Sequence, residues 1–452
     1  MNVLARLYLG RYGARSSTRL VKYLSSSTLK VFPEYVDGCT LLTQGDFKNA
    51  LPQFQRVLDV LDQIQTDKSS MDYFTLVEQI VKTRRYLGSE ADDIASFLET
   101  YRSNVNGDAM QVKVLLLQGH NCYHHGQIPL ALSHGSAAEE LCTTSNEPEV
   151  NDLGKTYSLL GITHLCSGDF EKAEEYLQMA ARWSESSLEK MKALNNLGLF
   201  HLSVLYDFND NGNHHNEKDE GAIRPDILMY TVDTKKMWFD PDGIMQESSA
   251  LTSFENHSEC LQEALGYLND ALEEAQSGEY IIPTEEEAQP MIDLENKVKD
   301  ITFATVYVNI LCNLSQVYLW MDDRDTSMDQ LSSALTCLNQ FNGDKRMEPL
   351  LGRVLTLTAF NNMANSQAVT AEGLFRSALD YMQGSYSTGM DTRYDYALAQ
   401  GGFGILLSKW DKREKEAADH VYIYSKNLDT LGKDNQYLQK FKTNQSIVRC
   451  LL

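Results

Sequence analysis

Apolar residues recur along most of the chain with the three- and four-residue spacing of an amphipathic α-helix. Short segments that contain glycine and aspartate separate the helical stretches, as Gly168 and Asp169 do. Glycine adopts the positive φ of a tight turn at little cost, so this dipeptide suits the connection between two antiparallel helices. The pattern predicts an all-α chain built from helix pairs.

The clearest of these helix pairs lies between residues 154 and 187. Gly161 and Ala173 are expected where its two helices approach most closely, because a larger side chain at either position would push the helices apart. The remaining apolar positions follow the helical spacing and include Tyr157, Leu160, Leu177 and Ala180. The segment therefore predicts one compact helical hairpin.

This segment resembles the tetratricopeptide repeat. Parts of the same pattern recur at residues 31–64, 112–145, 308–341 and 352–385. Several repeats start about 42 residues apart rather than the standard 34, which is similar to the longer-spaced repeats of kinesin light chains. The resemblance implies a right-handed superhelical solenoid of antiparallel helix pairs, to which residues 70–101 and 395–430 would add degenerate pairs.

One repeat is interrupted by a long insertion. Its first helix is predicted at residues 191–206, and its second helix follows only at about residues 255–276. The chain thus divides into N-terminal repeats at residues 31–205, an insertion at residues 206–252, and C-terminal repeats with a cap at residues 253–452.

The first 30 residues differ in charge from the rest of the chain, since no acid precedes Glu34. Their cations are Arg6, Arg11, Arg15, Arg19, Lys22 and Lys30. A basic, amphipathic and acid-free segment that also contains serines is typical of a mitochondrial transit peptide. The alternative is a basic tail that reaches no organelle.

The whole chain carries a formal charge of −23, with 63 acidic and 40 basic residues. Such a surface repels phosphate backbones, so nucleic acid is not expected as a partner. No apolar run approaches the length of a transmembrane helix, which takes about 20 residues. The eight cysteines are widely scattered and form no C-x-x-C pair, which favours reduced thiols packed in helices.

The resemblance implies a concave groove lined by the first helix of each pair, where a partner protein would bind. The corresponding positions here are His120, His124, Lys155, Ser158, Ile162, Lys192, Asn195, Leu199, Asn309, Gln316 and Trp320. The alternative is that these side chains are simply solvated. A carboxylate clamp of the chaperone-binding type is incomplete, because Lys192 and Asn196 are at clamp-like positions but Ser158 and Ile162 are not suited to it.

The insertion offers a second candidate surface. Residues 227–232 and 236–239 are predicted to form a small β-hairpin, on which Trp238 and Phe239 would anchor a partner. The alternative is a loop that covers the apolar edge of the solenoid. Asp207 and Asn211 match the first half of a calcium loop, but Lys218 stands where that loop needs a glutamate, so no calcium site is predicted.

Metal, cofactor and catalytic chemistry find little support in the sequence. His120 and His124 lie one helical turn apart, yet no further ligand is evident on the same face, so no metal site is predicted. Catalytic and cofactor-binding motifs are absent, among them the P-loop and the nucleophile elbow.

The sequence predicts a non-catalytic protein-interaction scaffold. We favour a mitochondrial assembly or maintenance factor for a protein complex, with the respiratory chain as the preferred setting. The reason is that this chain resembles mitochondrial proteins with these longer repeats. The alternatives are a structural subunit of a large mitochondrial assembly and a cytosolic peptide-binding adaptor.

Overall fold

The computed structural model describes residues 28–145, 150–184, 186–211, 254–277, 294–383 and 390–431. Within these ranges the chain forms α-helices, two short 3₁₀ helices at Thr28–Val31 and Lys345–Met347, and no strand. The helices are α1 Pro33–Thr43, α2 Phe47–Gln63, α3 Met71–Tyr86, α4 Ala91–Arg102, α5 Asp108–His124, α6 Ile128–Thr144, α7 Val150–Ser167, α8 Phe170–Trp183, α9 Ser187–Asn211, α10 Phe254–Ser277, α11 Leu294–Trp320, α12 Arg324–Asn339, α13 Glu348–Ala364, α14 Ala368–Gln383, α15 Met390–Ser408 and α16 Glu414–Leu431.

Consecutive helices pack as pairs, from α1 with α2 to α15 with α16. The second helix of each pair then packs against the first helix of the next, so the pairs stack in chain order. The chain is the all-α solenoid that the apolar spacing predicts. The interrupted pair belongs to this stack, because α9 and α10 pack together although residues 212–253 separate them in the sequence.

The turns between paired helices share one backbone device. A residue with positive φ comes two positions before the first residue of the second helix, at Gly45 (φ +74°) and Gly168 (φ +78°). Two later pairs lack a glycine there and place Asp322 (φ 61°) and Ser366 (φ 59°) in the same left-handed region. The same turn geometry is therefore present in the repeats that lack the turn glycine. The chain must reverse direction between two antiparallel helices, so the positive φ is needed even where the residue is not glycine.

Aspartate next to the turn caps the second helix. The Asp169 carboxylate accepts a hydrogen bond from the backbone N–H of Lys172, at the start of α8. Asp323 does the same for Thr326 at the start of α12. These caps satisfy backbone donors that the first helical turn leaves unpaired.

Glycine also sets the spacing within a pair. A Cβ built on Gly161 would lie 2.7 Å from Leu177 Cδ2 and 3.1 Å from the Leu177 backbone nitrogen. The close approach expected at Gly161 is present, and its neighbour on α8 is Leu177, while Ala173 is fully buried.

Pro52 does not delay its helix, since α2 begins five residues earlier, at Phe47. A proline in the second helix of the first repeat would be expected to kink that helix or to shift its start. The helix instead incorporates Pro52 and still buries Phe54 completely.

The first helices of the pairs form the inner layer of the solenoid. From α5 to α15 each first helix contacts the first helix of the next pair, whereas the second helices contact only neighbouring first helices closely. The layer with the closer helix spacing lies on the inside of a curved stack. The curve is tight enough for α15 to touch α5, and for the 3₁₀ helix Lys345–Met347 to touch α1.

Candidate functional site

Four cations from three first helices act electrostatically on one histidine of the inner layer. The charges that act most strongly on His120 of α5 are those of Arg85 and Lys82 of α3, Lys192 of α9 and Lys155 of α7. We call these five residues the inner basic cluster. His120 keeps part of its surface exposed. Burial by the surrounding protein, reinforced by these cations, lowers the pKa of His120 to about 3.

Arg85 is the member of the inner basic cluster with an unused donor. Its Nε donates a hydrogen bond to Asn121 Oδ1 at 3.3 Å, while its Nη2 has no hydrogen-bond partner. Burial lowers the pKa of Arg85 to about 10, a shift that the nearby Tyr86 and Glu78 oppose. Arg85 therefore stays cationic at neutral pH and presents an N–H group suited to an anionic oxygen.

Carboxylates contact two cations of the cluster without cancelling the positive potential at His120. Lys155 Nζ lies 4.0 Å from Asp152 Oδ1, and Lys192 Nζ lies 3.0 Å from Glu189 Oε1. The groups that act most strongly on His120 are nevertheless all cations. The imidazole of His120 therefore lies in a positive electrostatic environment.

The positive region continues to the point where α15 meets α5. His125, the C-cap residue that follows α5, has its pKa lowered by burial and by the charges of Arg85 and Arg393. His125 Nε2 and Arg393 Nε have no hydrogen-bond partner. The last pair of the solenoid thus adds a cation to the same face.

A buried polar ladder joins three first helices farther along the inner layer. Arg353 of α13 donates hydrogen bonds to Asn309 Oδ1 (2.8 Å) and Asn313 Oδ1 (2.7 Å) of α11. Asn313 Nδ2 in turn donates to Asn195 Oδ1 of α9 at 2.8 Å. All four side chains are at most 1% exposed. Among the described residues Arg353 pairs with no carboxylate, so amide oxygens alone solvate its charge and tie the three helices together.

Four side chains expected in the groove are buried in the packed interior: Ile162, Asn195, Leu199 and Asn309. Ile162 and Leu199 belong to the core between helix pairs. Asn195 and Asn309 belong to the polar ladder. In this conformation they support the inner face without offering surface to a partner, because the first helices pack more tightly than an open groove requires.

Of the other groove positions whose side chains the structure describes, four are partly exposed and two are buried. Four of them keep part of their surface exposed: His120, His124, Lys155 and Lys192. Ser158 and Gln316 are 6% and 5% exposed, and Ser158 Oγ and Gln316 Oε1 have no hydrogen-bond partner. Partner binding by these positions stays a prediction.

Both predicted anchors of the insertion lie outside the described residues, and one predicted groove position is described in its backbone only. Trp238 and Phe239 fall within residues 212–253, and the side chain of Trp320 is not described although its backbone ends α11. The helix α9 continues to Asn211, so Asp207 is helical and the half-match to a calcium loop is part of a helix.

Sequence reasoning missed two arginines of this region. Arg353 holds the second position of the predicted repeat that starts at residue 352, as Lys155 and Lys192 do in their repeats, so the same positional rule would have selected it. Arg85 gave no such signal, because the repeat pattern is degenerate between residues 70 and 101.

Other chemistry was sought in the described part of the chain. No group of three or more His, Cys, Asp or Glu side chains there is arranged to hold a metal ion. None of its helices is both long enough and apolar enough to cross a bilayer. Burial raises the pKa of the Cys39 thiol to about 11 and that of Cys337 to about 12, so neither forms a reactive thiolate at neutral pH.

Comparison with known proteins adds one likeness. No family model matches the sequence, and no curated protein matches it. Among solved structures, a Rap protein complexed with competence and sporulation factor aligns with a TM-score of 0.45 and 10% identity, over 91% of this chain and 98% of that chain. A likeness at this level carries no argument about function. The stacked pairs themselves show that the chain is an all-α solenoid of tetratricopeptide-like helix pairs.

Proposed function

We propose that this chain is a non-catalytic scaffold that holds a segment of a partner protein against its inner face. The observation that supports this is the set of partly exposed or unpartnered polar groups on successive first helices, from Arg85 through Ser158 to Gln316. Buried polar atoms are almost always paired in folded proteins, so several orphans on one layer favour a ligand that would pair them.

The packing of the inner layer suits such a role. The ladder around Arg353 ties neighbouring first helices together, and the close approach at Gly161 fixes α7 against α8. A preorganised surface loses little conformational entropy on binding, so more of the contact energy appears as affinity. The scaffold would therefore recognise its partner without a large rearrangement.

We further propose that the scaffold works in the mitochondrion as an assembly or maintenance factor for a protein complex, with the respiratory chain preferred. The basic, acid-free composition of residues 1–30 supports this location. The role in assembly is the simplest use of a solenoid that holds another protein and carries no catalytic motif.

Site-specific photo-crosslinking in cells tests the scaffold. Benzoylphenylalanine would replace Lys155 of the inner basic cluster in one variant and Lys48 in the other, since Lys48 is an exposed residue of the second helix α2. We expect one recurrent partner segment to crosslink at position 155 and not at position 48. Equal labelling at both positions, or none at 155, would contradict binding at the inner face.

The location is tested by expressing the full chain and a variant that lacks residues 1–30. Import of the full chain alone, followed by loss of an N-terminal segment, is the expected result. If both forms stay in the cytosol and crosslink the same partner, the chain is a cytosolic adaptor. If the imported chain co-purifies in fixed stoichiometry with one large complex, it is a permanent subunit of that complex.

A further inference from the structure

We infer that the segment held on the inner face is an acidic peptide segment of the partner, recognised through the inner basic cluster. This inference rests on the proposed scaffold function and adds the chemistry of the partner to it. It begins from a contrast in charge: the chain carries a formal charge of −23, yet cations dominate around His120. A local reversal of sign in an acidic protein is a feature that general solubility does not require.

The cations are distributed along a path and do not form a single patch. Lys82 and Arg85 come from α3, Lys155 from α7, Lys192 from α9 and Arg393 from α15. Arg85 bonds Asn121 of α5, the helices α5, α7 and α9 contact one another in succession, and α15 touches α5 across the curve of the stack, so these charges extend along the inner layer from α5. An extended chain with several carboxylates matches such a path better than a small ion, which would occupy one point of it.

The surroundings of another histidine show that the positive potential is local. His201 of α9 has its Nδ1 2.8 Å from Glu263 Oε2, and both Glu263 and Glu174 act on it in the direction that raises its pKa. His120 experiences the opposite sign of charge. The two histidines therefore mark an acidic region and a basic region on one chain, and only the basic one complements an anionic partner.

The unpartnered polar atoms distinguish a peptide from a phosphate or another simple anion. Arg85 Nη2 is a donor that suits a carboxylate. Gln316 Oε1, which is buried and has no partner, is an acceptor and requires a donor such as a backbone N–H. A peptide supplies carboxylates and N–H groups together, whereas a deprotonated phosphate offers acceptors only.

Fluorescence anisotropy with the full-length protein tests the inference. The probe is a fluorescein-labelled peptide of about 12 residues that combines glutamate with leucine and phenylalanine, and the control peptide replaces every glutamate by glutamine. We expect the acidic peptide to bind at least about tenfold more tightly than the glutamine peptide at the same salt concentration.

Two matched charge reversals locate the binding. Lys155→Glu changes a cation of the inner basic cluster, and Lys48→Glu makes the same change on the exposed face of α2. We expect Lys155→Glu to lower the affinity for the acidic peptide about tenfold, and Lys48→Glu to change that affinity by less than about twofold. Circular dichroism and thermal melting would confirm that both variants are folded.

Three outcomes would overturn the acidic partner. In the first, the glutamine peptide binds as tightly as the acidic peptide. In the second, Lys48→Glu weakens binding of the acidic peptide as much as Lys155→Glu does. In the third outcome, crosslinks from position 155 reach residues 278–293 of the same chain, which contain several glutamates, so that the occupant is internal.

The two levels of proposal fail separately. A crosslink from position 155 to a partner segment without acids would leave the scaffold in place and remove the acidic specificity. Absence of any partner crosslink would remove the scaffold, whatever the synthetic peptides show.

Discussion

Lys345 lies against Gly45, so close that a Cβ on Gly45 would come within 2.6 Å of the Lys345 Cβ. The two residues belong to the first helix pair and to the segment between α12 and α13, so five helix pairs of the stack lie between them in the chain. Next to this contact the Arg346 guanidinium bonds the Asp344 carboxylate through Nε (2.9 Å) and Nη2 (2.7 Å). Arg346 also lies near Tyr86 of α3. The solenoid thereby closes on itself and places its N-terminal pairs opposite α13.

Arg346→Ala should loosen this closure. Arg346 and Asp344 are only 10% and 12% exposed, so the loss of a bidentate pair leaves a nearly buried carboxylate with weaker solvation. We expect a loss of about 1–3 kcal/mol in the free energy of unfolding. Hydrogen exchange should accelerate in Pro33–Thr43 and Lys345–Met347. Arg56→Ala, at an exposed arginine of α2, is the control and should leave exchange unchanged.

Ser366→Gly should stabilise the chain. Ser366 has φ 59°, a left-handed conformation that costs a residue with a Cβ about 1–2 kcal/mol. Glycine avoids that strain but loses about 0.5–1 kcal/mol in backbone entropy, so the net gain should be about 0.5–1 kcal/mol. Thermal and urea unfolding would measure it. Gly168→Ala is the reverse experiment and should destabilise, and a gain in that variant would refute the explanation.

Arg353→Met should destabilise the chain by about 2–4 kcal/mol. The substitution keeps most of the side-chain volume but leaves the carbonyl oxygens of Asn309 and Asn313 without their guanidinium donors, and a buried polar group that loses its partner costs about 1–3 kcal/mol. Relief of the unpartnered Arg353 Nε offsets part of this cost. Urea unfolding measures the change in the free energy of unfolding, and a loss below about 1 kcal/mol would show that the ladder contributes little to stability.

The stability of the chain should fall as the pH drops below about 6.5. The pKa of His120 is lowered from 6.5 to about 3 in the folded chain, so between these values the unfolded chain binds the proton and the folded chain does not. Protonation therefore favours unfolding within this window, and His120→Gln should flatten the dependence of the unfolding free energy on pH. An equal slope in wild type and variant would contradict the assigned surroundings of His120.

Binding of the acidic peptide should raise the pKa of His120. An added carboxylate opposes the cations that hold the imidazole neutral, among them Arg85 and Lys155. An NMR titration of the imidazole with and without the peptide measures the shift. The glutamine peptide is the control and should leave the titration unchanged.

Local structure could be predicted well from the sequence. The second helix of the interrupted pair is predicted at residues 255–276 and is found at Phe254–Ser277. Gly161 is predicted at a close approach of two helices and lies at one. Helix periodicity and steric fit between adjacent helices depend on residues close together in the chain, so a single sequence contains enough information for them.

The candidate site was predictable only in part. Lys155 and Lys192 are both predicted as inner positions and both belong to the inner basic cluster. Ile162 and Leu199 come from the same positional rule but are fully buried. The rule identifies the side of the helix and not the depth of a side chain, which depends on how closely the next pair packs.

The sequence by itself determined the all-α class, the helix pairs and the acidic charge of the chain, because each depends on composition or on short-range spacing. Only the tertiary structure decided that Arg85 bonds Asn121, that Arg353 bonds Asn309, and that Lys345 reaches Gly45. The curvature of a solenoid is the sum of small rotations between successive pairs. Each rotation depends on side-chain packing across the interface, so contacts between distant pairs arise only when the whole stack is assembled.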